Sequence, residues 1–335
     1  MKELNLYPID YPFETLVSRV EKKTLNLSPD FQRKYKWNRE DEKKTSKFIE
    51  SCLLRIPLPT CYFAEDENKR HMVIDGVQRI TTIVRFYNNE FCLEGLTQLN
   101  NLNGLYYRDL GDLQNDFDTY TIRCIVLRKD NDKSLIKDIF SRLNQGAVEL
   151  TPQEVRHAIY PGNFDILLHR LASIPGVAML SKNGNTDLEV DEIVLRYFAF
   201  KGVLSDYDGN IKEYLDTKME SLQDLTEEEA VIMENDFKET LEKCILLFGM
   251  DKVFTDTSKK RKYRSVILYD VLMWSMYQIE AEVIEDKREE ILEKFECLCA
   301  SSEFKKTTAG GSQMRTQIAK RRTLWWSMID EYKCL

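Results

Sequence analysis

From about residue 150 onward the apolar residues of this chain recur almost only at helical spacing, while the first 150 residues alternate between helical and strand-like patterns. That change of period points to an α+β chain, with a mixed α/β head followed by a mainly α-helical region. In the head the spacing predicts a helix over 13–23, with Leu16, Val17 and Val20 on one face, then an extended stretch over 24–27. Asn38 caps a helix that runs to about Arg55, where Pro57 and Pro59 stop it. Strand-like runs over 60–64 and 71–74 flank a polar turn and read as a hairpin. A helix over 77–87, a strand over 120–127, a helix over 132–143 and a helix opened by Thr151-Pro152 complete the head. The remainder reads as helices over 164–172, 188–200, 226–248, 262–279, 286–299 and 313–333. We place the head at 1–160 and the helical domain at 161–335, with the divide between 145 and 175.

Composition removes several function classes. A hydrophobic fraction of 43% with 31% charged residues is that of a soluble globular protein. No apolar run is long enough to cross a bilayer and the N-terminus lacks a signal core, so a cytoplasmic location without a membrane partner is expected. Eight cysteines include no CxxC pair, and His71, His157 and His169 lie far from any cysteine pair. Reduced, mostly buried cysteines are therefore expected, with no metal held by Cys or His. The net charge of −8 opposes broad non-specific nucleic-acid binding but allows local basic patches. Two stretches qualify: the run 259–264, and the spaced set Lys305, Lys306, Arg315, Lys320, Arg321 and Arg322. Solvated helix ends explain either one equally well.

The segment that carries chemistry is Val73-Ile74-Asp75-Gly76-Val77-Gln78-Arg79-Ile80-Thr81-Thr82, a strand, an Asp-Gly turn and a helix start. Glycine at such a junction lets the backbone turn sharply, and the first helical amides then point, unpaired, toward an anion. Arg79 falls in the first turn, where a guanidinium can grip a phosphate through two hydrogen bonds. Asp75 is placed to hold Mg²⁺, a ribose hydroxyl or a water. The plainer reading is that Asp-Gly is a common turn dipeptide and Arg79 an exposed helix residue. Two further polar clusters, Gln32-Arg33 and Arg142-Leu143-Asn144-Gln145-Gly146, fall at the ends of predicted elements and can converge on the same cleft.

Three ordered segments together carry a family resemblance. Phe31-Gln32-Arg33-Lys34-Tyr35-Lys36-Trp37, the Asp75–Arg79 segment with its flanks, and Ile139-Phe140-Ser141-Arg142-Leu143-Asn144-Gln145-Gly146 with 150–156 resemble the ParB/sulfiredoxin-like domain-of-unknown-function family 262, marked by a DGQQR motif. The similarity spans roughly 10–170. It implies a ParB-like, nucleotide-binding head of the restriction and phage-defence type, with a nucleoside triphosphate and Mg²⁺ as cofactors. Asp75, Gln78 and Arg79 would be the catalytic residues of an NTPase. Gln32, Arg33, Asp75, Gly76, Gln78, Arg79, Thr81, Arg142 and Asn144 would bind the nucleotide. Val77 stands where the family has its first glutamine and Ala147 where a second glycine is common, which weakens the case for hydrolysis more than that for binding. Relatives often append a His-Asn-His nuclease; residues 170–335 contain no histidine, so that nuclease is not expected here.

Three functional readings follow. The first is a DNA-associated NTP-binding or NTP-hydrolysing protein. The second is a non-hydrolysing, nucleotide-switched DNA-binding or assembly module. The third is a metal-dependent nuclease built on Asp75, Glu149 and Glu154. The partners expected are nucleotide and DNA, with a separate effector protein or further copies of the chain. For nucleic-acid contact the candidates are Arg315, Lys320, Arg321 and Arg322, which follow the small polar stretch 307–313, with Trp325 and Trp326 available for stacking or for the core.

Overall fold

The computed structural model describes residues 4–27, 42–66, 68–131, 135–136, 138–139, 151–181, 188–256, 258–259 and 263–333. The chain divides into two compact units, Met1–Thr151 and Pro152–Leu335. The helix opened by Thr151-Pro152, assigned to the head from sequence, packs in the second unit.

The first unit is built on a five-stranded mixed sheet. Its strands are β1 (Leu6–Pro12), β2 (Leu25–Asn26), β3 (Cys61–Glu65), β4 (His71–Asp75) and β5 (Thr121–Leu127), in the spatial order β1-β5-β3-β4-β2. β1 runs antiparallel to β5 and β3 antiparallel to β4, while β3–β5 and β2–β4 are parallel. Strand β1 is absent from the sequence expectation because Pro8 and Pro12 interrupt its pattern. A proline is tolerated there because β1 is an edge strand, with one side free of ladder bonds. Along β5, Ile122, Cys124 and Val126 are buried while Thr121 and Arg123 are exposed, the period-two alternation of a strand with one covered face. Arg123 pairs with Asp10 directly across the β1–β5 ladder, at 2.8 and 2.9 Å.

Among the described residues this unit also holds helices α1 (Phe13–Glu21), α2 (Lys43–Leu53), α3 (Val77–Tyr87) and α4 (Leu113–Thr119). They pack against one another through a core that includes Phe13, Leu16, Ile49, Ile80, Ile83, Phe86 and Phe117. Two buried polar groups lock the irregular segments to it. Glu50 takes the backbone N–H groups of Thr97, Gln98 and Leu99 on one carboxylate oxygen at 2.7–3.0 Å. Arg85 pairs with Glu42 at 2.7 Å and Glu90 at 3.2 Å.

The second unit is helical: α5 (Pro152–Ile159), α6 (Asn163–Ala172), α7 (Pro175–Ala178), α8 (Glu189–Phe200), α9 (Ile211–Ser221), α10 (Glu227–Phe248), α11 (Val266–Met276), α12 (Ala281–Asp286), α13 (Arg288–Ala300), α14 (Ser302–Thr307) and α15 (Arg315–Ile329). Thr226 and Glu229 form a reciprocal capping box at the start of α10, satisfying two otherwise orphaned amides. Arg156 is the polar hub. It is 1% exposed and bonds Asp216 and Glu192 at 2.8 Å, Gln153 at 3.1 Å and the Lys212 carbonyl at 3.2 Å, joining α5, α8 and α9. An arginine buried this deeply is tolerated only with its donors paired, and here four acceptors surround it.

Candidate functional site at the end of strand β4

Asp75 is the last residue of β4 and Val77 the first of α3, leaving Gly76 alone to make the turn. Its φ of +103° lies in the region that L side chains rarely adopt. Space is as restrictive as the dihedral: a Cβ on Gly76 would lie 2.3 Å from the Cys61 sulfur. Just before the turn β4 carries one extra residue, since Tyr62 faces Asp75 while Phe63 faces Val73. This bulge turns both Val73 and Ile74 inward and leaves the Asp75 side chain 42% exposed. Bulges of this kind commonly re-aim a side chain beside a functional site.

Arg79, four residues on, folds back over the turn. Its Nη2 donates to Asp75 Oδ2 at 2.6 Å and, more weakly, to the Thr60 carbonyl at 3.4 Å, while Nη1 donates to the Pro59 carbonyl. The guanidinium therefore ties the chain entering β3 to the start of α3. Among the described residues three of its five N–H bonds are used, and Nε–H and one Nη1–H have no partner there. Thr82 bonds the Gln78 carbonyl at 2.7 Å, and Thr81 lies half-buried on the same helix.

Gln78 carries the most informative atom of the turn. Its Oε1 is buried and has no hydrogen-bond partner among the described residues. A buried amide oxygen without a donor costs about 1–3 kcal/mol, so such groups mark places where a partner is expected. Gly76 provides no side-chain cap for the first-turn amides of α3.

Beneath the turn lies a feature that sequence spacing does not reveal. Cys61 and Cys124, 63 positions apart and each isolated in the sequence, are direct neighbours across the β3–β5 ladder, both fully buried and both free. Cys61 is the more acidic of the two thiols. The neighbouring Cys124 thiol holds it down against its burial, and the Arg79 cation acts in the same direction. The neighbouring Cys61 sulfur, with burial, pushes Cys124 up. Only the topology, with β5 inserted beside β3, could have brought them together.

Gln32, Arg33, Arg142, Asn144 and Glu149 lie outside the described residues. Glu154 is fully buried in α5, which removes it from a solvent-facing carboxylate set. Among the described residues no group of three or more His, Cys, Asp and Glu side chains is arranged to hold a metal ion, and no helix is long and apolar enough to cross a membrane.

The four cations of the last long helix do not form one face. Arg315 and Lys320 are exposed, but Arg321 is buried and donates to the Thr307 and Ser312 carbonyls at 2.7 and 2.8 Å. Arg322 is also buried, bonding the carbonyls of Gly202, at 3.0 Å, and Phe200. The carbonyls of neighbouring segments hold both guanidinium groups, so Arg321 and Arg322 do not share an exposed face with Arg315 and Lys320. Trp325 is core, its indole N–H on Ser275 at 2.9 Å, whereas Trp326 stays partly exposed.

No curated protein and no solved structure matches the chain. Residues 13–161, a span that contains β4, the Gly76 turn and α3, match the family model described as the GmrSD restriction endonuclease, N-terminal domain.

Proposed function

We propose that the turn from Asp75 to Arg79 binds the phosphates of a nucleoside triphosphate, and that the chain acts as a DNA-associated protein of the restriction or phage-defence type. The observation that carries the nucleotide reading is the buried, unpartnered Gln78 Oε1 beside an uncapped helix start. The likeness of residues 13–161 to a restriction endonuclease's N-terminal domain supports the wider role.

The residues present fit the group. The N-terminal amides of α3 are placed to donate to phosphate oxygens, and the helix dipole favours their charge. Mg²⁺ is ordinarily held by one or two carboxylates together with substrate phosphates, and Asp75 supplies one partly exposed carboxylate. When bound, the metal supplies neutralisation of the phosphate charge. Arg79 would reach the same phosphates through the N–H groups that no described residue takes, and through one more once Asp75 turns away. The Asp75–Arg79 pair, held together at 2.6 Å, would act as a latch: it would part when Asp75 turned to Mg²⁺ and Arg79 to the phosphates. Gln78 receives a donor from the sugar, the base or a bound water.

A second reading has its own support. Val77 removes one amide side chain from the turn, and a latch that opens on binding suits a nucleotide-driven switch without turnover. Binding and phosphate release with ATP, GTP, CTP and UTP plus Mg²⁺, compared between wild type and Arg79→Ala, separate the two. Base-selective turnover lost in the variant establishes an NTPase. Binding without turnover establishes the switch. Wild-type affinity in Arg79→Ala removes the turn as the phosphate site. Because Arg79 also anchors Pro59 and Thr60, a melting curve of the variant accompanies the assay.

A further inference from the structure

The helical unit carries a cleft of its own, of about 570 Å³, between the end of α8, the last turn of α11 and one side of α15. That volume falls in the ordinary range of small-molecule sites. Its walls are unusual for a protein surface. Trp274 and Trp326 meet edge-to-face with ring centroids 5.5 Å apart, and Tyr277 lies beside them; all three remain partly exposed. Two cations are built into the same walls. Arg322 holds its guanidinium carbon 4.5 Å over the Trp274 ring, and Lys201 its ammonium 4.8 Å over Tyr277.

These cations decide what the cleft can take. Aromatic walls alone would suit a quaternary ammonium, but here the protein's own charges already cover the two rings and would repel a cationic guest. Lys201 shares its charge with Asp236, and Asp330 lines the cleft on the opposite sign. Arg322 gives its hydrogen bonds to carbonyls, with no carboxylate in ion-pair contact among the described residues, and so contributes net positive charge. Gln278 donates its amide N–H to the Trp274 carbonyl at 3.0 Å, which fixes the amide at the cleft wall. A planar ring with polar edges and an attached anion satisfies all of these features.

We propose that this cleft binds a nucleotide unit, with the base stacked on Trp326 and the phosphate drawn by Arg322 and Lys201. The unit can be a free nucleotide or one residue of a single strand, since both present the same ring and phosphate. Base–aromatic stacking is tolerant of sequence, because every base has a π-face.

The test uses the full chain, with the four nucleoside monophosphates and a mixed-sequence single-stranded oligonucleotide as probes, read by tryptophan fluorescence and anisotropy. Trp326→Ala is expected to weaken binding about tenfold, in the range of one lost base stack. Trp326→Phe keeps a ring and restores most of it, which a merely structural tryptophan would not explain if both variants melt like wild type. All variants are measured in an Arg79→Ala background, so that the turn after β4 adds nothing to the signal. Monophosphate binding with this pattern assigns a free nucleotide; the same pattern with the oligonucleotide alone assigns a strand. Equal affinity with and without the Trp326→Ala change, or no binding of either probe, overturns the proposal.

Discussion

At the scale of single residues, the turn after β4 is over-determined, and Gly76 shows how. A left-handed φ and a sulfur 2.3 Å from where a Cβ would go both demand glycine. Gly76→Ala should therefore destabilise the protein by about 2–4 kcal/mol, the combined scale of backbone strain and overpacking. Calorimetry in a Cys61→Ala background divides that cost: removing the sulfur should recover the steric part and leave the backbone part. Equal losses in both backgrounds would mean that Cys61 does not press on the turn. The Asp-Gly-x-Gln-Arg string was legible as a strand-to-helix turn because glycine and the change of period both mark it. The thiol pair below it was not, since nothing local links Cys61 to Cys124. The burial of Arg321 and Arg322 was hidden for a related reason: a basic helix reads as surface until the carbonyls that receive its guanidinium groups are known.

Among the elements, those with strong local signals emerged as expected, α3 over the predicted residues and the β3–β4 hairpin with its antiparallel pairing. What failed were elements fixed by tertiary context. Strand β1 depends on pairing with β5 rather than on its own proline-rich pattern, and α9 is too polar to announce itself, burying only Leu215 and Met219. Strand β4 also sets a pH response. His71, 4% exposed, lies 3.2 Å from an Arg19 nitrogen and 3.3 Å from the Tyr7 hydroxyl. Arg19 can only donate, so Nδ1 accepts and the proton stays on Nε2. Burial, reinforced by the Arg19 cation, holds the His71 pKa below the ordinary histidine value of 6.5. The unfolded chain then takes up the proton more readily than the folded one. The contribution is whole above about 6.5 and is lost as pH falls toward the depressed folded value. Melting temperature should drop between pH 7 and 5, and His71→Gln should flatten that slope. An unchanged slope in the variant would place the acid sensitivity elsewhere.

For the molecule as a whole, the change of hydrophobic period near residue 150 anticipated a mixed head and a helical remainder, because periodicity reports burial and burial defines each unit. The identity of a site is a finer matter. The motif names Gln78, but what sets it apart in the fold is an absence, a buried oxygen without a donor among the described residues, which no sequence pattern can display. That oxygen also provides the most direct measurement: calorimetric titration of Mg²⁺-bound ATP, GTP, CTP and UTP into wild type and Gln78→Leu. A nucleotide site at this turn predicts that wild type binds at least one of them and that the variant loses about tenfold or more in affinity. Its melting temperature without nucleotide should stay level or rise, since an unpartnered buried amide has been removed. Equal affinity in the two proteins, or no binding by wild type, would contradict it.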